Sequence, residues 1–516
     1  MRQLLQSLFV YDWPWGMGSA SKLSVAEVRL IKGMLEIRPR LTNQAILAYF
    51  TRPGRDLNHR VIAEIAGGER LPAEPPASSA ETLAYMAASE AIARPNADGF
   101  LPDVGHAHRA TPGMTRWLLL DWWPVGQGLF STGSIIRRHA PPLTWTYDCG
   151  TTSSDSILQA ALDGFSRQQK LIKSHRIRLA VLSHFDNDHI SGFVRLVKSS
   201  PVETVLLPYI PLWRRLVIAL ELGIGADDPN FGFFIDPVTF LFGIDGGQIG
   251  EIVFVPAAGP DDAPESPEGP DIGPEDGRDD ALKIEEGKPP SESARDPVRF
   301  PKAGTKVRFL RRAGRIFVPG FWEFVPYNDA GMAPNATPAF LRAATPLMAT
   351  LRDDPDKRVS ALASLKGLYD RTFGASSEAR NLISLFLYSG PLGPLRLRSS
   401  YGAAFAAEND RFCQMHTGDG TLDEGPRFDA FKRFYTPADR LARSGFFQVM
   451  HHGARVNWHD GLAKSLEPVV SLFSSDPAHK KFKHPHAEVL RDFWPYGATQ
   501  VDRSNGYSFL GCLERR

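Results

Sequence analysis

The chain has 516 residues, more than one hydrophobic core usually supports, so we expect a large domain with an appended piece. Its apolar share of 43% is that of a globular protein, and its net charge of +1 gives no whole-chain reason to expect a polyanionic partner. Cys149, Cys413 and Cys512 show no CxxC spacing, which argues against a disulfide framework and against a thiolate metal site.

The N-terminal segment lacks the basic start and the small-residue cleavage site of a signal peptide. No stretch reaches the ~18–20 apolar residues that a bilayer span needs. We therefore expect a cytoplasmic protein with no membrane partner. The sequence leaves the oligomeric state open.

Residues 1–70 are predicted to hold a helical module. Ser24 and Glu27 have capping-box spacing, and two further helices can begin at Thr42 and Asn58. The order helix, helix, turn, helix resembles a helix-turn-helix domain. Residues 22–70 carry nine Lys or Arg against five Asp or Glu, so residues 23–66 could contact nucleic acid, with a basic cluster at the last turn and helix formed by Arg52, Arg55, His59 and Arg60.

A small helical dimerisation or lid module with a solvated basic face explains the same pattern equally well. Residues 71–112 follow, rich in Ala, Pro and Gly with one short helical stretch near 80–93, and are predicted to be a linker.

Residues 113–516 are predicted to form one α/β domain. Short β-type runs at 117–123 and 143–148 precede a helix over about 155–173 and an apolar strand that ends at Ser183. Strands that alternate with helices indicate a layered α/β architecture.

Two insertions are predicted to interrupt this domain. Residues 256–298 contain thirteen acidic and four basic residues, nine prolines and almost no large apolar side chain, which predicts a disordered acidic loop. Residues 338–378 are predicted to be helical. Strands are predicted to resume at 382–388, 412–417 and 446–450.

The segment VLSHFDNDHISG places four polar side chains directly after the apolar strand. His184, Asp186, Asp188 and His189 fall within six residues, where they would repel or stay unpaired unless a cation held them. Imidazole and carboxylate groups suit Zn²⁺ or Mn²⁺. The segment therefore predicts half of a metal site.

This segment resembles the HxHxDH signature of the metallo-β-lactamase superfamily, with Asp186 in place of the second histidine. The HxDxDH form is similar to the hydrolase domain of bacterial DNA-uptake (competence) channel proteins and to phosphorylcholine esterases. The resemblance covers about residues 115–512 and implies a four-layer αββα sandwich. It rests further on VGQG at 125–128, YDCG at 147–150, NLISLFL at 381–387, TGD at 417–419, HHG at 451–453 and HPHAEVL at 484–490.

The resemblance implies a ligand set for two divalent ions, zinc before manganese, that share Asp419. No histidine follows the strand ending near Pro208, so a histidine of HHG is assigned to that place. One ion is then assigned His184, Asp186, His451 and Asp419, and the other Asp188, His189, Asp419 and His484. The choice between His451 and His452, and between His484 and His486, stays open.

The chemistry implied is hydrolysis by a metal-bridging hydroxide, without a covalent enzyme intermediate. The catalytic residues assigned are Asp188, also a ligand, and His452 or His486, either of which could protonate the leaving oxygen. Gly126, Gly128 and Asp148 are assigned to turns and scaffold.

A phosphodiesterase or nuclease is favoured because the resemblance is to DNA-processing and diester-cleaving proteins. Two alternatives stay open. One is a hydrolase of a small ester, lactone or phosphorylcholine-type molecule, and the other is a DNA-binding regulator with an idle metal domain.

Overall fold

The computed structural model describes two β-sheets with helices on their outer faces. The described residues are 23, 25–37, 41, 43–50, 59–79, 81–82, 85–86, 116–137, 140–228, 230–265, 281–290, 306–332, 336–373, 384–393, 395–401, 411–479 and 481–515. The strands are β1 (Arg116–Trp122), β2 (Ser131–Arg137), β3 (Leu143–Tyr147), β4 (Ile177–Val181), β5 (Val202–Pro208), β6 (Ile249–Val255), β7 (Lys283–Ile284), β8 (Lys306–Phe309), β9 (Ile316–Val318), β10 (Trp322–Tyr327), β11 (Phe386–Pro391), β12 (Leu395–Tyr401), β13 (Cys413–His416), β14 (Ser444–Gln448), β15 (Val470–Ser474), β16 (Ala498–Val501) and β17 (Tyr507–Arg515).

The described α-helices are numbered in the same way. They are α1 (Val25–Glu36), α2 (Asn43–Ala48), α3 (His59–Ala66), α4 (Asp155–Leu171), α5 (Asn187–Ile190), α6 (Phe193–Ser199), α7 (Leu212–Glu221), α8 (Phe231–Ile235), α9 (Pro237–Phe242), α10 (Pro338–Asp353), α11 (Arg358–Phe373), α12 (Gly425–Tyr435), α13 (Arg440–Arg443), α14 (Leu462–Leu466) and α15 (Ala487–Phe493). Among the described helices, none has both the length and the apolar character needed to cross a bilayer.

Both sheets are mixed, and each has an antiparallel and a parallel half. The first has the order β12-β17-β1-β2-β3-β4-β5-β6-β8, and its strands run parallel from β3 to β8. The second has the order β16-β15-β14-β13-β11-β10-β9-β7 and is parallel from β16 to β13. The predicted α/β class is confirmed.

The sheets pack face to face because their strands are apolar on both faces. In β4, Leu179 and Val181 belong to the core between the sheets, while Ala180, on the other face of the strand, belongs to the core under the outer helices. Strands buried on both sides are typical of parallel sheets covered by helices. A third core, with Phe431 of α12, covers the outer face of the second sheet.

Three N-terminal helices occupy the predicted module and share a small core. Val28, Ile46 and Ile62, one from each of α1, α2 and α3, are buried together with Ala487 of α15. The module thus packs on the large domain. Thr42, Asn58, Arg52 and Arg55 lie outside the described residues, and the assignment as a helix-turn-helix stays a prediction.

The described start of the predicted linker packs on these helices instead of acting as a spacer. Lys32 Nζ donates to the carbonyl oxygens of Leu71 (2.7 Å) and Glu74 (2.6 Å). The Tyr85 ring stacks on Phe50 with centroids 5.4 Å apart. The alanine and proline content of this segment predicted a linker. Composition alone gives no indication of such long-range contacts.

Part of the segment predicted to be a disordered acidic loop is folded. Strand β7, at Lys283–Ile284, pairs with β9, and the Glu285 carboxylate accepts hydrogen bonds from Arg315 Nε (3.0 Å) and Arg311 Nη2 (3.0 Å). The acidic composition that suggested disorder is here matched by arginines 26 to 30 positions away in the chain. Residues 266–280 and 291–305 lie outside the described residues.

Two helices, α10 and α11, occupy the segment predicted to be a helical insertion. They pack beside α7, where the Trp213 ring lies 5.1 Å from that of Phe340 and 6.2 Å from that of Tyr369. This pair adds to the core on the outer face of the first sheet.

Candidate metal centre

The candidate site lies where strands of both sheets end. Asp148 follows β3, His184 follows β4, Asp419 follows β13, and His451 follows β14. Carboxyl ends of parallel strands form the usual binding edge of an α/β sheet. Here the edges of two sheets meet, so segments up to some 300 positions apart in the chain contribute side chains to one place.

The Asp419 carboxylate is at the centre of this site, and each of its oxygens faces two histidines. Oδ2 lies 3.5 Å from Nε2 of His184 and 3.4 Å from Nε2 of His451. Oδ1 lies 3.1 Å from Nε2 of His189 and 3.7 Å from Nε2 of His452. One carboxylate therefore joins two pairs of imidazoles.

Each pair has a second carboxylate. Asp186 Oδ2 lies 3.9 Å from Nε2 of His184, and Asp188 Oδ2 lies 3.1 Å from Nε2 of His452. Four of these residues are close enough together to bind one ion. One possible ligand atom from each of Asp188, His189, Asp419 and His452 lies within 4.8 Å of the other three. This group could hold a metal ion.

The histidines are oriented by hydrogen bonds at their other ring nitrogen. Nδ1 contacts Ser183 Oγ (2.8 Å) in His184, Asp148 Oδ2 (2.7 Å) in His189, Asn457 Oδ1 (2.8 Å) in His451 and the Ser474 carbonyl oxygen in His452. Such partners fix the ring and leave Nε2 as the ligand nitrogen, as in protein metal sites.

The site leaves buried polar atoms unpaired, as a cation site should. Nε2 of His184, Nε2 of His189 and Oδ1 of Asp419 are buried and form no hydrogen bond with the described residues. An unpaired buried donor or acceptor costs about 1–3 kcal/mol. A divalent cation bound to these atoms would remove that cost, so the residues present fit a metal.

The pKa shifts show an excess of negative charge. Burial raises the pKa of Asp186, and His184 offsets only part of the rise. Burial would lower the pKa of His189, but the Asp419 and Asp148 carboxylates raise it well above its usual value. In the metal-free protein the His189 imidazole would hold a proton that a divalent cation can replace.

The HHG turn brings adjacent histidines to opposite sides of one carboxylate. His451 and His452 both adopt left-handed backbone conformations, with φ of 44° and 58°. Such conformations are costly for residues other than glycine and cluster at functional sites. The two rings are inclined by 65° to each other, so that His451 reaches Oδ2 of Asp419 while His452 reaches Oδ1.

His452 and His484 are the two histidines whose roles the sequence left open. His452 is assigned to proton transfer and His484 to the second ion in the sequence-based prediction, and in the structure His452 is one of the four residues that could hold an ion. The His484 ring stacks on that of His452, with centroids 6.2 Å apart and planes at 15°, and its Nδ1 is buried without a hydrogen-bond partner among the described residues. The left-handed turn lets both HHG histidines face Asp419.

His486 lies beside the group, outside it. Its Nδ1 accepts a hydrogen bond from the backbone N–H of Arg455 (3.3 Å), and its ring lies 5.1 Å from that of His484. With Nδ1 acting as an acceptor, the neutral ring carries its proton on Nε2.

Two orienting residues were not identified as such from the sequence. Asp148, assigned to scaffold, accepts from Ser183 N (2.7 Å) as well as contacting His189. Its position after β3, next to the strand that leads to the HxDxDH segment, was the available signal. Asn457, whose Nδ2 donates to the Asp419 carbonyl oxygen (3.0 Å), gave no signal because it belongs to no motif.

The VGQG turn packs against the backbone of the HxDxDH segment, in line with its assignment to turn and scaffold. The backbone N–H of Leu129 donates to the carbonyl oxygen of Asp188 (3.0 Å). A Cβ on Gly128 would lie 2.3 Å from the carbonyl oxygen of Gly150 and 2.9 Å from that of Asp188. Only glycine allows this close approach.

No protein-family model matches this chain, and no curated protein is significantly similar to it.

Proposed function

We propose that this chain is a metal-dependent hydrolase of the metallo-β-lactamase fold that uses two divalent ions to cleave phosphodiesters of nucleic acid. The observation that carries the proposal is the position of Asp419, whose two oxygens each face their own pair of histidines. A carboxylate placed in this way is suited to bridge two ions.

His184, Asp186 and His451 would hold the first ion, and Asp188, His189 and His452 the second. The ligand set of imidazoles and carboxylates is acceptable to zinc and to manganese, and zinc is the ion proposed. Bound there, two such ions would lower the pKa of a shared water and neutralise charge that develops at the attacked phosphorus.

The chain's own groups have distinct tasks in this proposal. Asp148 holds His189 in one tautomer and orientation, and Asn457 does the same for His451. His486, with its proton on Nε2, is the residue proposed to protonate the leaving oxygen. His452 is not proposed as the proton donor, because its Nε2 faces Asp188 and Asp419.

The fold supports the same proposal. Two mixed sheets packed face to face, helices on both outer faces and a site at the strand ends are what the metallo-β-lactamase resemblance implies. The HxDxDH, TGD and HHG segments, distant in sequence, converge on one carboxylate.

The test is metal content and hydrolysis in Asp419→Ala. We expect about two divalent ions per wild-type chain and cleavage of bis(p-nitrophenyl) phosphate and of DNA or RNA. In the variant we expect the bridging site to be lost and diester cleavage to fall at least ~10³-fold, the scale of losing a main electrostatic element of a catalytic site. Asp429→Ala, an exposed aspartate on α12, is the matched control and should behave as wild type.

Other outcomes would redirect the proposal. Two ions with turnover of a carboxylic ester or lactone, and none of diesters, would favour the small-molecule hydrolase. Metal without any turnover, together with tight DNA binding, would favour the regulator. A wild-type chain that binds no divalent ion would refute the metal centre.

A further inference from the structure

The segment from 477 to 487, which carries the HPH histidines, is strongly basic. It holds three lysines, three histidines and no acidic residue, in a chain whose net charge is only +1. Its described lysines, Lys481 and Lys483, are exposed. We call residues 477–487 the basic loop.

The basic loop is held in shape at its base. The His479 ring accepts hydrogen bonds at Nδ1 from the backbone N–H groups of Lys481 (3.3 Å) and Phe482 (3.2 Å). Just before it, the carboxylate of the buried Asp476 pairs with Arg503, and the backbone N–H of Asp476 donates to the side-chain oxygen of Gln127 (3.2 Å). The lysines therefore project from an anchored turn.

A row of stacked rings joins the basic loop to the metal centre. Phe482 stacks on His479 (centroids 5.3 Å apart) and on His484 (6.2 Å), and His484 stacks on His452 (6.2 Å), which faces Asp188. Lys481 Nζ lies 4.9 Å from the centroid of Phe482. The positive charges of the basic loop are thus connected to the candidate metal centre by a continuous series of ring contacts.

A third cation lies on another segment beside the site. Arg455 follows the HHG turn, its side chain is 63% exposed, and its backbone N–H donates to His486 of the basic loop. Its ion-pair partner is Glu488, at 4.0 Å, the limit of such a contact. This single carboxylate does not cancel the charge of Lys481 and Lys483.

We infer that the basic loop and Arg455 bind the phosphates that flank the scissile bond, so that the substrate is a nucleic-acid strand. The inference rests on the proposed function and assigns the surface that holds its nucleic-acid substrate. A phosphorylcholine-type substrate carries a quaternary ammonium group, which these cations would repel, whereas flanking phosphates would be attracted.

The N-terminal module is the competing place for such contacts. Its exposed Arg60 lies 3.4 Å from Glu64, and Arg70 lies 3.2 Å from the same carboxylate. Those two arginines are partly neutralised within the module, while no ion pair is described for Lys481 or Lys483. The structure thus favours the basic loop.

The test is binding of a labelled single-stranded oligonucleotide with phosphorothioate linkages, which keep their charge and are cleaved slowly. Full-length wild type is compared by fluorescence anisotropy with Lys481→Gln/Lys483→Gln. We expect the variant to bind at least ~10-fold more weakly at 0.1 M salt. The slope of log K against log salt should become shallower by about 1.4, since two phosphate contacts are lost and each contributes roughly 0.7 on a single strand.

Three further variants complete the design. Lys481→Arg/Lys483→Arg keeps both charges and should restore binding. Lys170→Gln/Lys198→Gln removes two exposed lysines at the far ends of α4 and α6, away from the strand ends that form the site, and should bind as wild type. Arg60→Gln tests the N-terminal module and should also leave binding intact.

The inference is overturned if the Lys481/Lys483 variant binds as tightly as wild type, if Lys170→Gln/Lys198→Gln weakens binding equally, or if Arg60→Gln causes the main loss. Binding does not require turnover. A failure of the hydrolase proposal would therefore appear as absent cleavage with this binding pattern preserved, and a failure of the inference as cleavage with the pattern absent.

Discussion

Two buried clusters of charged side chains in this protein balance their charges in opposite ways. The first, the arginine–glutamate cluster, consists of Glu285, Arg315, Glu323 and Arg440. Arg440 is fully buried and donates to both Glu323 oxygens (2.8 and 3.1 Å), and Arg315 bridges Glu323 (3.1 Å) and Glu285 (3.0 Å). Arg311 also pairs with Glu285 (3.0 Å) and is itself paired with Glu265 (2.7 Å), so three arginines face three glutamates and the cluster is neutral by itself.

The metal centre is different because acids outnumber fixed cations. The carboxylates of Asp148, Asp186, Asp188 and Asp419 each lie within 4 Å of an imidazole, and several buried ring and carboxylate atoms form no hydrogen bond with the described residues. Buried charge is stable only when it is paired. The comparison teaches that a self-paired cluster is complete within the fold, whereas an incompletely paired one is suited to bind a cation.

Arg440→Met tests this comparison with the largest expected effect, a loss in the free energy of unfolding. The change leaves Glu323 buried with a single arginine, and breaking such a pair costs about 3–5 kcal/mol. We expect the urea midpoint to fall accordingly while metal content per folded chain stays that of wild type. Arg433→Met, an exposed arginine on α12, is the control and should change little.

The double variant Glu323→Leu/Arg440→Met separates charge from packing. Removing both partners should recover part of the lost stability, because a buried pair replaced by apolar groups is often neutral. Loss of metal together with stability in Arg440→Met would break the distinction between the two clusters.

A smaller effect is expected on metal affinity, from Asp148→Asn. Asp148 has φ of 55°, a conformation that asparagine tolerates, so the backbone should persist while the charge that orients His189 is lost. Orienting partners of this kind are worth about 10–100-fold in metal affinity. Competition with a chromogenic chelator measures the change.

Asp155→Asn is the control for this experiment, since Asp155 is an exposed aspartate that pairs with Arg195 at 2.7 Å. Equal affinities of Asp148→Asn and wild type would show that the metal centre does not depend on its orienting carboxylate.

The smallest effect concerns Asp121, a buried carboxylate with only neutral partners, Gln168 (2.8 Å) and Ser508 (2.5 Å). Burial raises its pKa to about 6 from the usual 3.8. The folded state then holds the proton more tightly than the unfolded state. Its contribution to stability is present below about pH 4 and is lost as the pH rises to about 6.

Asp121→Asn should remove this pH dependence. At pH 7.5 we expect the variant to be more stable than wild type by about 1 kcal/mol, less than the ~3 kcal/mol that two pKa units represent, because asparagine pairs less well with both partners. At pH 4 that pH-dependent gain is absent and only the poorer pairing remains, so the variant should be less stable than wild type by about 2 kcal/mol. Urea unfolding at pH 4, 6 and 7.5 measures it, and a difference that does not vary with pH would contradict the assignment.

The sequence predicted the elements of the site better than their pairing. The α/β class, the strand before His184 and the residues around Asp419 follow from local patterns, because apolar runs and clustered ligands are visible in short windows. Which histidines face Asp419 depends on side-chain direction at the HHG turn. No periodicity indicates two left-handed residues in a row, so the sequence could not predict that both His451 and His452 face this carboxylate.

Predictions from composition were also wrong where residues distant in the sequence neutralise a charge or pack against a ring. Glu285 belongs to a segment with the composition of a disordered loop, yet Arg311 and Arg315 neutralise it in the fold. Tyr85 lies in the segment predicted to be a linker, and its ring stacks on that of Phe50, more than 30 positions earlier in the chain. Such pairings depend on tertiary structure and leave no local trace.

The left-handed pair at His451 and His452 has a consequence for protein engineering. Adjacent residues in an extended strand present their side chains to opposite faces of the sheet, and neighbours on a helix are about 100° apart, so neither element turns two adjacent ligands onto one small anion. Someone building a dinuclear centre into a new scaffold could copy this turn as a two-residue cassette. The scaffold would need enough stability to spare for two unfavourable backbone conformations, each worth roughly 1–2 kcal/mol.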